Sequence, residues 1–66
     1  MSNDEWVSLQ VGKLPTSELK QRAFIGYKKK YDEAFNEEKA DHKKENTATR
    51  AANLALTDFI KRVFKK

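Results

Sequence analysis

The chain predicts a mainly α-helical fold with one short N-terminal β-strand, assembled as an intertwined homodimer. Three observations predict it. Trp6-Val7-Ser8-Leu9-Gln10-Val11 alternates, with Val7, Leu9 and Val11 on one side and Trp6, Ser8 and Gln10 on the other, the period-2 pattern of a half-buried strand. Two long helical patterns follow it. No second strand is offered within the chain, so the strand's backbone groups call for a second copy.

Size points the same way. A single domain of 66 residues buries only about 60% of the surface its unfolded chain exposes and is marginal without support. There is no Cys and only one His, which excludes disulfides and thiolate-bound zinc and makes a metal staple improbable. Oligomerisation remains. The absence of Cys also fits a reducing cytoplasm.

The strand is expected over about residues 6–11. Gly12-Lys13-Leu14-Pro15-Thr16-Ser17 then forms a turn, with Pro15 ending the strand. Thr16 or Ser17 suits a helix N-cap, and Glu18 places a carboxylate at the positive end of the helix dipole. A first helix is expected over about 17–38, because Leu19, Ala23, Tyr27, Tyr31, Ala34 and Phe35 recur at three- and four-residue spacing. Phe24 widens that stripe and Ile25 lies off it. Gly26 interrupts the helix at about 1 kcal/mol relative to Ala, either to admit a partner helix or as a tolerated surface glycine.

Residues 39–46 form a polar connection, with Asn46 as the break and Asn46 or Thr47 as the next cap. The second helix is expected over about 47–64. Ala48, Ala51, Ala52, Ala55, Leu56, Phe59, Ile60 and Val63 cover about half its circumference at roughly 100° per residue. Lys61, Arg62, Lys65 and Lys66 suit its negative end.

The order of strand, proline turn, helix, polar break and Ala/Leu-rich helix resembles the ribbon–helix–helix family of Arc- and MetJ-type DNA-binding proteins. The resemblance runs from about Trp6 to Val63 and is nearest over Glu45–Ile60. It implies two strands paired antiparallel across a dimer axis and laid in the DNA major groove. On this resemblance Trp6, Ser8 and Gln10 face the bases. Lys13, Thr47, Ala48, Thr49 and Arg50 hold phosphates, partly through free N–H groups at the start of the second helix. Val7, Leu9, Val11, Ala52, Leu56, Phe59, Ile60 and Val63 form the core and dimer contact, so Leu9→Asp is expected to abolish the dimer. Trp6 departs from the family's usual polar or basic side chain, the first helix is longer than the compact members have, and the break lacks their common glycine.

Charge is compatible with that partner. There are 14 Lys+Arg against 10 Asp+Glu, a net charge of +4, which favours polyanions without specifying one. Lys28-Lys29-Lys30 spreads around a helix and reads as a solvated surface. His42 has Glu38 and Glu45 at helical spacing, but Lys39, Lys43 and Lys44 surround them, so an exposed His is favoured over a metal ligand. No nucleophile–base pair and no Gly-rich phosphate loop is seen, and no cofactor is expected. The expected function is therefore non-enzymatic: a sequence-specific double-stranded DNA-binding protein, acting as a transcriptional repressor or as a plasmid or phage accessory factor. No apolar run approaches the roughly 20 residues of a membrane span. Met1-Ser2-Asn3-Asp4-Glu5 lacks the features of a signal peptide, and a cytoplasmic location is expected. The alternative is a two-helix antiparallel hairpin with an extended N-terminal arm, acting as a small module that binds another protein, such as a phage-encoded inhibitor of a host protein.

Overall fold

The computed structural model describes residues 2–65; Lys66, assigned to the helix dipole above, and Met1, in the acidic N-terminal stretch, lie outside them. Three α-helices follow one another: α1 (Asn3–Gly12), α2 (Ser17–Glu37) and α3 (Lys44–Phe64), with a 3-10 turn at Asp41–Lys43 leading into α3. There is no strand among the described residues. The ribbon–helix–helix expectation is thereby overturned, because that fold requires the strand that Trp6–Val11 was expected to supply, and these residues are helical.

The reason lies in two signals around the alternating segment. Ser2 and Glu5 sit at the spacing of a capping box, and the Ser2 hydroxyl accepts a hydrogen bond from the Glu5 backbone N–H at 3.2 Å. Asp4 and Glu5 also place negative charge in the first turn. The apolar residues that become buried are Val7, Val11 and Leu14, spaced four and then three apart, as one helical face requires. Leu9 belongs to the opposite side of such a helix and is 54% exposed. Its expected place in the core is corrected accordingly.

The helix α2 begins where the capping signal places it: the Thr16 hydroxyl accepts from the Leu19 N–H at 3.1 Å. Its partner α3 starts at Lys44, so Asn46 and Thr47 lie inside the helix, and the break falls at residues 38–40 instead. Helix formers on both sides of Asn46 let the helix continue through it.

The two long helices pack as an antiparallel hairpin. Small side chains line their contact: Ala23 and Ala34 on α2 and Ala48 and Ala52 on α3 are buried, the last two with 0% exposure. Such residues allow close backbone approach, consistent with the Ala-rich first part of α3. Helix α1 lies over one face of the hairpin, on its open half, where α2 begins and α3 ends. There Val7, Val11 and Leu14 join Ala23 and Leu56 in the core, with Trp6, Leu19, Tyr27, Phe59, Ile60 and Val63 packed around them. At 10 residues α1 spans about 15 Å, half the length of either partner. It therefore leaves the closed half of that face, around Tyr31 and Phe35, without a helix over it.

Polar contacts fix the arrangement at two levels. At mid-hairpin the Tyr27 hydroxyl accepts from Asn3 Nδ2 at 2.8 Å and donates to Asn53 Oδ1 at 3.1 Å, while Asn53 Nδ2 donates to Asn3 Oδ1 at 3.0 Å. This closed ring ties all three helices and fixes the register of Tyr27 against Asn53. At the closed end Glu38 accepts from the Ala40 N–H at 3.2 Å and from the Thr47 hydroxyl at 3.0 Å. Lys44 Nζ donates to the carbonyls of Phe35, at 3.1 Å, and Glu38. The same ammonium lies 5.5 Å from the centre of the Phe35 ring, a cation–π contact. The connection between the helices is thus held by side chains from both.

The Ala40 N–H, then the Thr47 hydroxyl, then the charge of Lys43 favour the ionised Glu38 and hold its carboxyl below the ordinary 4.5. A carboxyl depressed on folding contributes stability that is complete above the unfolded value and is lost as pH falls through the folded one. Thermal melts of the wild type should therefore fall as pH drops below about 4.5, with a share of that fall missing in Glu38→Gln. Parallel melting curves for the two proteins between neutral and acid pH would show that the Glu38 contacts contribute nothing.

Candidate functional site

Helical geometry separates the residues expected to read bases. Successive helical residues turn by about 100°, so Trp6 and Gln10 share a side of α1 and Ser8 lies across from them. Trp6 is half-buried against the core, Gln10 accepts from Lys13 Nζ at 3.3 Å, and Ser8 is exposed. They do not form a row. The expected phosphate cradle is also displaced. With Lys43 as the N-cap of α3, the N–H groups of Thr47, Ala48 and Thr49 fall within its hydrogen-bonded body. Ala48 is fully buried, Thr49 half-buried, and the Thr47 hydroxyl is engaged by Glu38. Arg50 is exposed, without free amides beside it.

Of the expected core, Val7, Val11, Ala52 and Leu56 are buried, and Phe59, Ile60 and Val63 pack against them. Among the described residues no group of three His, Cys, Asp or Glu side chains could hold a metal ion. Glu38, considered beside His42 and Glu45, is committed to closing the hairpin.

What the fold does bring together is positive charge. The turn after α1, the first turns of α2 and the last turns of α3 meet at the open end of the hairpin. They carry Lys13, Lys20, Arg22, Lys61, Arg62 and Lys65, against only Glu18 and Asp58. Arg22 is paired with Glu18 at 3.0 Å, whereas Lys13, Lys20, Lys61 and Lys65 take part in no ion pair among the described residues. Elsewhere among the described residues acids and bases nearly balance, so the net positive charge of the described residues resides at one end of a molecule 38 Å long. Phe64, an exposed aromatic, stands in the same region.

The sequence offers Lys13 as a phosphate contact only on the family resemblance, and Lys61, Arg62 and Lys65 only as helix-dipole partners. Lys20 and Arg22 were not singled out. The available signal was the antiparallel hairpin itself, which sets the start of α2 beside the end of α3. No helix among the described residues is long and apolar enough to cross a membrane. Comparison with protein-family models, curated proteins and solved structures finds no match.

Proposed function

We propose that the chain is a non-catalytic, cytoplasmic DNA-binding factor that grips the phosphate backbone of duplex DNA with the open end of its helical hairpin. The observation that carries this reading is the segregation of net positive charge to that end. Several ammonium groups on converging elements produce a local field that dispersed charges would not, because screening at physiological salt acts over about 8 Å. Lys13, Lys20, Lys61 and Lys65 are long, flexible donors suited to phosphate oxygens as point charges. Contacts of this kind position a protein on DNA and do not read sequence. Their effect would be occlusion or shaping of the duplex.

Fluorescence anisotropy with a labelled duplex tests the proposal. Four phosphate contacts predict about a 10²-fold loss of affinity between 50 and 200 mM salt. Two double variants of equal charge change then locate the surface. Lys61→Gln with Lys65→Gln should weaken binding and reduce the salt slope by about 2; Lys28→Gln with Lys29→Gln should change neither. Equal weakening by both pairs, or no more binding at low salt than an unrelated protein of like charge, would rule the open end out.

A further inference from the structure

The face of the α2–α3 hairpin turned away from α1 carries a groove along both helices. Towards the open end it holds about 260 Å³ between Arg22, Gly26, Ala55, Asp58 and Arg62. Towards the closed end it holds about 530 Å³ between Lys30, Glu33, Glu37, Thr47 and Ala51. Its middle is built from the smallest side chains available, Gly26, Ala51 and Ala55, and a Cβ added at Gly26 would meet nothing within 4 Å. Beside that middle stand Ile25 and Leu54, 68% and 67% exposed, the most exposed of the large apolar residues.

We infer that a second copy of this chain occupies the groove, packed face to face and antiparallel about a two-fold axis. The charges favour that occupant and orientation. In the open half Arg22, which also pairs with Glu18, and Arg62 outnumber Asp58; in the closed half Glu33, Glu37 and Glu38 outnumber Lys30 and Lys39, so an excess of opposite sign meets at each end when the groove is reversed. The register agrees. Arg22 and Glu33 are equidistant from the point between Tyr27 and Lys28. With Tyr27 level with Asn53, Arg62 stands level with Glu18, and residues 18 and 37 are centred on that same point. One axis therefore sets Arg22 towards Glu33 of the second copy and Arg62 towards its Glu37. Ala51 and Ala55 are centred on Asn53, within about half a residue of this axis, where the two copies would come closest.

A symmetric contact of this type is isologous and closes at two subunits. Opposed charges at its two ends fix orientation more than they add affinity; the apolar middle supplies the contact. The inference shares Arg22 and Arg62 with the basic end, but its test reads self-association without DNA, so its failure and that of the DNA reading are distinguishable.

Sedimentation equilibrium from low micromolar to near-millimolar protein should show a monomer–dimer equilibrium. Ala55→Arg places bulk and charge at the axis and should weaken association by about tenfold or more, as should Glu33→Arg, which opposes like charges. Combining Glu33→Arg with Arg22→Glu restores the opposed charges and should recover most of the wild-type association. Circular dichroism and thermal melts of each variant at low concentration separate loss of association from loss of fold, since Ala55 is half-buried between the helices and Arg22 pairs with Glu18. A monomer at every concentration would overturn the inference, leaving the groove to a different partner. So would a dimer indifferent to Ala55→Arg, or a charge swap no better than its single variant.

Discussion

Replacing Leu56 by Ala is expected to cost about 2–5 kcal/mol, the range for removing a fully buried leucine. A chain of this length has roughly 3–10 kcal/mol to lose, so the variant should be mostly unfolded on mild heating. Leu56 is the largest fully buried side chain, 2% exposed, and it meets Val7, Val11 and Leu14 of the N-terminal segment as well as Ala23 of α2. All three helices therefore lose a contact together. The cavity cannot collapse easily, because its neighbours Ala23 and Ala52 are short and Ala52 is already packed without exposed surface. Thermal and urea unfolding of dilute protein, followed by circular dichroism, should place the midpoint more than about 10 °C below wild type. Leu54→Ala is the same chemical change two residues away on the exposed side, and should stay within about 0.5 kcal/mol. Similar losses at both positions would mean that the packing around Leu56 does not hold the three helices together.

The two long helices were legible because their apolar residues leave no other period open. Leu19, Ala23, Tyr27 and Ala34 fit only a helical face, and the run from Ala48 to Val63 covers one side of a cylinder. The first segment was ambiguous for a definite reason: Val7 and Val11 are four apart, a spacing shared by a strand face and a helix face. Leu9 made the strand attractive. The tie is broken outside the segment, by Ser2 and Glu5 before it and Leu14 after it. Asn46 misled in a different way. Its tolerance of a helix break counts only where the chain needs to turn, and the turn is instead built by Glu38, Thr47 and Lys44, whose partners are up to nine residues apart. The basic end was hidden for a topological reason. Lys61 is far from Lys13 and Lys20 in sequence and meets them only once the direction of α3 against α2 is known.

Val11→Asp and Leu9→Asp separate the helical reading of the first segment from the extended one. On a strand whose apolar side holds Val7, Leu9 and Val11, both changes would be severe. On helix α1 they diverge. Val11 is 3% exposed and lies among Leu14, Ala23 and Leu56, where an unpaired carboxylate would be strongly penalised. The charge escapes by releasing α1, so the cost is limited to what docking of α1 contributes. That contribution comes from Val7, Val11 and Leu14, each worth about 1.5–3 kcal/mol when fully buried, before the entropy of ordering the segment is subtracted. Release of α1 would expose Leu56 and Ala23 and open the Asn3–Tyr27–Asn53 ring, so the hairpin left behind should be much less stable. Amide exchange should lose protection first in Asn3–Gly12 and then throughout the chain. Leu9→Asp places its charge in water and should leave melting temperature and exchange pattern close to wild type. A collapse caused by Leu9→Asp, or an undisturbed α1 in Val11→Asp, would show that Val7, Val11 and Leu14 do not anchor the segment as a helix.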